Sequence, residues 1–141
     1  MLKKYPNEAF DALIRTVRDK DDAAQRWLLD NGYPELYHLW DAIEGVEPSF
    51  QWLMKNGYRH LAAVVDGLSG KDSAKAWLIT SGYPALAAFV DACEGGAKAV
   101  QFLIRFGEKG WVLLAREIHA REKKKNKNFF WSILNFGNPF R

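Results

Sequence analysis

The chain has 141 residues, 48% of them hydrophobic and 14% aromatic, which predicts one globular domain and excludes a disordered chain. Its net charge of +3 is uneven, because residues 1–120 contain 14 Lys and Arg against 16 Asp and Glu, whereas residues 121–141 contain six against one. This distribution argues against a nucleic-acid surface on the body. The only cysteine, Cys93, excludes an internal disulfide framework and predicts a reducing, cytoplasmic location.

An aromatic residue followed by leucine, with glycine five positions after the aromatic residue, recurs every 25 residues, starting at Trp27, Trp52, Trp77 and Phe102. Fixed-period similarity of this kind is the signature of a repeat architecture. The spacing predicts a helical-repeat domain over residues 1–126, followed by an aromatic tail over 127–141. The predicted repeat units are 27–51, 52–76, 77–101 and 102–120.

Each unit contains two amphipathic segments, which we call the A helix and the B helix. The A helix carries apolar residues at positions i, i+3, i+4 and i+7, and the B helix carries the repeated aromatic residue and leucine. The small residue three positions before the aromatic residue shares its helical face, so the aromatic column is predicted to lie in the core. The predicted helices are, in chain order, 6–19, 22–30, 34–44, 47–55, 59–68, 72–80, 84–94, 97–106 and 109–125, with a short one near 128–135.

The chain is therefore expected to be all-α, a solenoid-like array of short antiparallel helical hairpins with a capping C-terminal helix. In this design it resembles the α-solenoids, namely the HEAT, armadillo and tetratricopeptide arrays, over residues 8–120. Its unit of 25 residues is shorter than the roughly 34 residues of a tetratricopeptide unit. The resemblance implies a surface that is presented to a partner.

Three aspartates form a column on the A helices at the repeat spacing, and their helical position places them on the outer face. The column has two interpretations: a solvated face with salt bridges between repeats, or an acidic ladder that binds a basic ligand. The alanines beside it predict a shallow groove floor. The candidate partner-binding residues are His38, Asp41, Asp66, Asp91 and Leu113.

The end of the chain joins a basic run to an aromatic segment. A cap over the last repeat is one interpretation, and the others are contact with a partner, self-association, a membrane surface or nucleic acid. The candidate contact residues in this segment are Arg121, Lys123, Lys124, Lys125, Lys127 and Trp131.

The three histidines occupy unrelated repeat positions, and no nucleophile with a base is visible, so no catalytic, cofactor-binding or metal-binding residue is predicted. The sequence therefore favours a non-enzymatic protein-interaction module or small scaffold that binds a protein or peptide. The alternatives are nucleic-acid or membrane association through the tail, and an enzyme whose site has no motif.

Overall fold

The computed structural model describes residues 2–122, in which nine helices and no strands are found. The odd-numbered helices are the A helices and the even-numbered ones are the B helices. The helices are α1 (Asn7–Asp19), α2 (Asp22–Asp30), α3 (Pro34–Ile43), α4 (Glu47–Lys55), α5 (Arg59–Leu68), α6 (Asp72–Thr80), α7 (Pro84–Cys93), α8 (Ala97–Arg105) and α9 (109–122).

The all-α class is confirmed, and the first eight helices begin and end within one residue of their predicted bounds. Local chemistry explains this agreement. The seven glycines at the two repeated turn positions have φ between +74° and +100°, a region that a side chain makes costly. Proline begins α3 and α7, where a missing amide hydrogen costs no helical hydrogen bond. The predicted tail and its capping helix lie outside the described residues.

The core lies among the A helices. Most of their predicted apolar positions are buried, including Leu36, Phe89 and Leu114, while Ile43 and Leu68 are partly exposed. Along the chain, α1 packs on α3, α3 on α5, and α5 on α7, and each of α2, α4 and α6 packs against the A helices on either side of it. The A helices thus supply most of the buried apolar surface that holds the fold together.

The last A helix, α9, packs against the first, α1. Trp111 on α9 is 1% exposed, and its ring meets the rings of Phe10 on α1 and Phe89 on α7 edge-on, with centroid distances of 5.3 Å and 4.9 Å. Gly110 permits this approach, because a Cβ atom at that position would overlap the Phe10 ring. Arg121 on α9 also forms an ion pair with Glu44, which follows α3, at 2.8 Å.

The prediction that the repeated aromatic column lies in the core is wrong for Trp77, while Trp27, Trp52 and Phe102 are partly buried and pack against the edge of the core. Trp77 is 37% exposed and Trp52 is partly exposed, whereas Leu53 and Leu78, the next residues, are fully buried. A B helix packs inward through one narrow stripe. The leucine occupies this stripe, and the tryptophan, about 100° away around the helix, falls on its flank. Each tryptophan instead stacks on the tyrosine six residues later, as in Trp52–Tyr58 at 5.7 Å.

Candidate interaction groove

A groove of about 350 Å³ lies between α4 and α6, with α5 as its floor. Met54 on α4 and Trp77 on α6 line its two sides, and their side chains are 36% and 37% exposed. Ala62 and Ala63 on α5 form the floor. The groove is therefore mostly apolar and open to solvent, the combination expected of a surface that receives apolar side chains.

The repeat position on the floor of this groove differs between α3 and α5. His38 occupies in α3 the repeat position that Ala63 occupies in α5. The His38 ring stacks on Trp52 with centroids 4.3 Å apart, and its Nδ1 atom lies 2.9 Å from Ser49 Oγ. The His38 ring therefore fills, over α3, the space that the methyl group of Ala63 leaves open over α5. Ala63, one of the alanines beside the aspartate column, thus lies on the floor of this groove.

A second repeat position, on the B helices, also differs next to the groove. Gln25 on α2 donates a hydrogen bond to Asp41 at 2.8 Å, and Lys75 on α6 donates one to Asp91 at 3.1 Å. Phe50 occupies the equivalent position on α4 and carries no donor. The polar links that join α2 to α3 and α6 to α7 have no equivalent between α4 and α5, where the apolar Phe50 ring lines the groove instead.

The predicted aspartate column forms contacts within the protein. Asp66 lines the groove and pairs with Lys71 at 3.6 Å, while Asp41 and Asp91 hold the links just described. All three side chains are partly buried. Asp66 and Asp91 thus form ion pairs, of which only Asp91–Lys75 joins two repeat units, and Asp41 accepts a hydrogen bond from a neutral side chain. Asp66 is the member of the column that lies in the groove.

The remaining predicted residues lie elsewhere. Leu113 is partly buried on α9 and does not line this groove. Arg121 pairs with Glu44, and its guanidinium lies 5.2 Å from the centroid of the Trp40 ring. Lys123, Lys124, Lys125, Lys127 and Trp131 lie outside the described residues.

An apolar column on the exposed side of the B helices was not predicted from the sequence. Its members directly follow the buried leucines, and their exposed fractions range from 36% to 61%. An apolar residue at this position in every unit was a visible signal, because the inward stripe does not require it. One of its members, Met54 on α4, lines the groove. The column consists of Leu29, Met54, Ile79 and Ile104.

A second cavity, of about 630 Å³, lies at the carboxyl ends of α3, α5 and α7 and against α9. Ile43, Leu68 and Ile118 line it, together with His119 and the buried Cys93. The Nδ1 atom of His119 lies 3.1 Å from the Cys93 carbonyl oxygen, and burial raises the pKa of the Cys93 thiol. The thiol is thus held in its protonated, weakly nucleophilic form.

Burial also lowers the pKa values of His38 and His60, which favours their neutral rings. His60 stacks on Tyr83 with centroids 4.7 Å apart. Within residues 2–122, no three His, Cys, Asp or Glu side chains come close enough together to hold a metal ion. Among the helices of this same range, none has the length and apolar character needed to cross a membrane.

The chain was compared with protein-family models, with curated proteins and with solved structures, and none of them matches it. The groove and the exposed apolar column of the B helices are therefore the features from which a function is inferred.

Proposed function

We propose that this chain is a non-enzymatic protein-interaction module, built as a helical-repeat array, that binds an amphipathic segment of another protein. The observation that carries the proposal is the groove over Ala63, whose two walls expose Met54 and Trp77. Apolar anchors of a partner helix enter grooves of this kind at positions i, i+3, i+4 and i+7. The expected cytoplasmic location is part of this proposal and rests on the single free cysteine.

The exposed apolar column supports this proposal over an acidic ladder. Four aliphatic side chains, one on each of four B helices, remain in water at some cost. The aspartates, by contrast, already have partners at 2.8–3.6 Å. A basic ligand would have to break these contacts, whereas an apolar ligand would cover surface that the fold leaves exposed.

The proposal is tested by filling the groove. Ala63→His places in α5 the residue that α3 already carries, so the variant is expected to fold with the groove closed. Wild-type and variant chains are used to capture proteins from an extract of the source cells. The proteins that the wild-type chain captures are identified, and their binding segments are synthesised as peptides. Binding of these peptides is expected to weaken at least about tenfold in Ala63→His, a loss of roughly 1.4 kcal/mol.

Two controls separate the alternatives. The triple variant Asp41→Asn, Asp66→Asn, Asp91→Asn removes the acidic column and is expected to retain peptide binding within about threefold. Equal binding by wild type and Ala63→His, combined with loss in the triple variant, would replace the groove with the acidic ladder. If both variants bind as well as wild type and binding falls steeply with salt, the basic tail becomes the site.

A further inference from the structure

A fully buried carboxylate lies at the amino end of α3, away from the groove. Glu35, the second residue of the helix, is 0% exposed. Its Oε2 atom accepts hydrogen bonds from the Lys3 ammonium and from the Tyr5 hydroxyl, each at 2.8 Å. Its Oε1 atom is buried and has no hydrogen-bond partner among the described residues. Half of the acceptor capacity of this carboxylate is therefore unused.

Aromatic rings complete the surroundings of the Lys3 ammonium. The nitrogen lies 5.3 Å from the centroid of the Tyr5 ring and 5.9 Å from that of Tyr33, both within the range of cation–π attraction. Tyr5 in turn packs edge-on against Phe10 and Trp111, with centroids 6.0 Å and 6.3 Å away. Contacts with Phe10 and Trp111, which both belong to the core, thus hold the Tyr5 ring in place.

The repeat does not require an acid at this position. The equivalent residues of the next three units are His60, Ala85 and Gly110. A buried ion pair adds little net stability, since desolvation offsets most of the attraction between the charges, and an apolar residue there is often as stable. A carboxylate kept at this cost, with one oxygen unsatisfied, is better explained by recognition of a cation than by folding.

The cation that occupies the site is only loosely attached to the fold. The Lys3 side chain is 49% exposed, whereas the Glu35 side chain is 1% exposed. Lys3 precedes α1, and a rotation of its flexible stem is enough to release the ammonium while Tyr5 stays in place. The hydrogen bond to Glu35 raises the pKa of Lys3, and burial raises that of Tyr5, so both groups remain protonated donors at neutral pH.

We propose that Glu35, Tyr5 and Tyr33 form a binding site for a primary ammonium group, which Lys3 fills from within the chain. A lysine side chain of a partner can take the place of Lys3. The internal occupant competes at a high effective concentration, on the order of millimolar, so the wild-type protein binds a free ammonium weakly. Removal of the Lys3 ammonium is expected to expose the site.

The test uses n-propylammonium chloride as the probe and the full chain as the protein. Amide and side-chain NMR shifts are followed in wild type, Lys3→Ala and the matched control Lys4→Ala, whose lysine is also exposed but lies one residue further along. Lys3→Ala is expected to bind propylammonium at least about tenfold more tightly than wild type, with the shifts centred on Glu35 and Tyr33. Lys4→Ala is expected to bind it no better than wild type.

Two further arms identify the chemistry. Adding Glu35→Gln to Lys3→Ala is expected to abolish binding, because the carboxylate provides the charge complement. Tetramethylammonium chloride at equal ionic strength is expected to bind at least about tenfold more weakly than propylammonium, since it has no N–H donor for Glu35. If Lys3→Ala does not fold, Lys3→Met retains the apolar stem and is tested by the same criteria.

Several results would overturn the proposal. Propylammonium binding that is equal in wild type and in the folded Lys3 variant means that Lys3 does not occupy a site. Binding that survives Glu35→Gln places the probe elsewhere, and equal binding of the two ammonium salts removes the role of the carboxylate as hydrogen-bond acceptor. None of these results bears on the groove over Ala63, so the interaction-module proposal stands or falls separately.

Discussion

The A helices and the B helices of this protein are built from the same repeat but use their apolar residues differently. The A helices bury most of them against one another. Each B helix fully buries one leucine and leaves an aromatic and an aliphatic side chain partly or largely exposed. The A helices therefore supply most of the stability of the fold, and the exposed residues of the B helices can vary with little loss of stability.

The sharpest test of this contrast compares one tryptophan from each class. Trp111→Ala removes a ring that is 1% exposed and touches Phe10 and Phe89, and it is expected to cost about 3–5 kcal/mol of unfolding free energy. Trp77→Ala removes a ring that is 37% exposed and stacks on Tyr83, and it is expected to cost about 1 kcal/mol. Urea unfolding measures both losses. Equal losses would show that the A helices and the B helices do not differ in their contribution to stability.

A smaller loss is expected where the first and last A helices meet. Gly110→Ala forces a methyl group into the Phe10 ring and is expected to cost about 1–3 kcal/mol. Phe10→Leu shortens the side chain that obstructs it, so the double variant is expected to lose less than the sum of the two single losses. Strict additivity would show that α1 and α9 do not pack closely at this point.

The smallest expected effect is a loss of stability in mild acid. Burial lowers the pKa of His38, with Asp41 opposing, and burial also lowers that of His60. The unfolded chain therefore binds more protons than the folded one as the pH falls below about 6.5 towards the lowered values, so stability present above that pH declines. Thermal unfolding at pH 7.5 and 5.5 should show this decline, reduced in His38→Gln and His60→Gln. An undiminished decline in both variants would assign it to other groups.

Prediction from the sequence succeeded where the decisive interactions are local. The helix bounds follow from glycines, prolines and the spacing of apolar residues, all within a few positions of one another. The burial of Leu53 and of Phe89 follows from the same periodicity. The prediction was wrong for Trp77 and only partly right for Trp52, because periodicity identifies the apolar side of a helix and does not reveal how wide a stripe its neighbours cover.

The candidate sites depended more heavily on contacts between distant segments. An alanine floor was predicted beside the aspartates, but the groove itself forms where folding brings α4, α5 and α6 together, with Phe50 and Ala63 at the positions that hold Gln25 and His38 in the preceding unit. Glu35 gave no signal of its own in the sequence. Its pairing with an ammonium group depends on Lys3, which lies 32 positions earlier in the chain and meets it only on folding.

The sequence by itself thus determined the repeat, the order and length of the helices, and which leucines point inward, because each of these is decided by residues within one or two turns. Only the tertiary structure decided that the last A helix packs on the first, that a groove forms over Ala63 between α4 and α6, and that a carboxylate is buried beneath Lys3. Those features come from distances between segments far apart in the chain, which the spacing of residues along the chain does not specify.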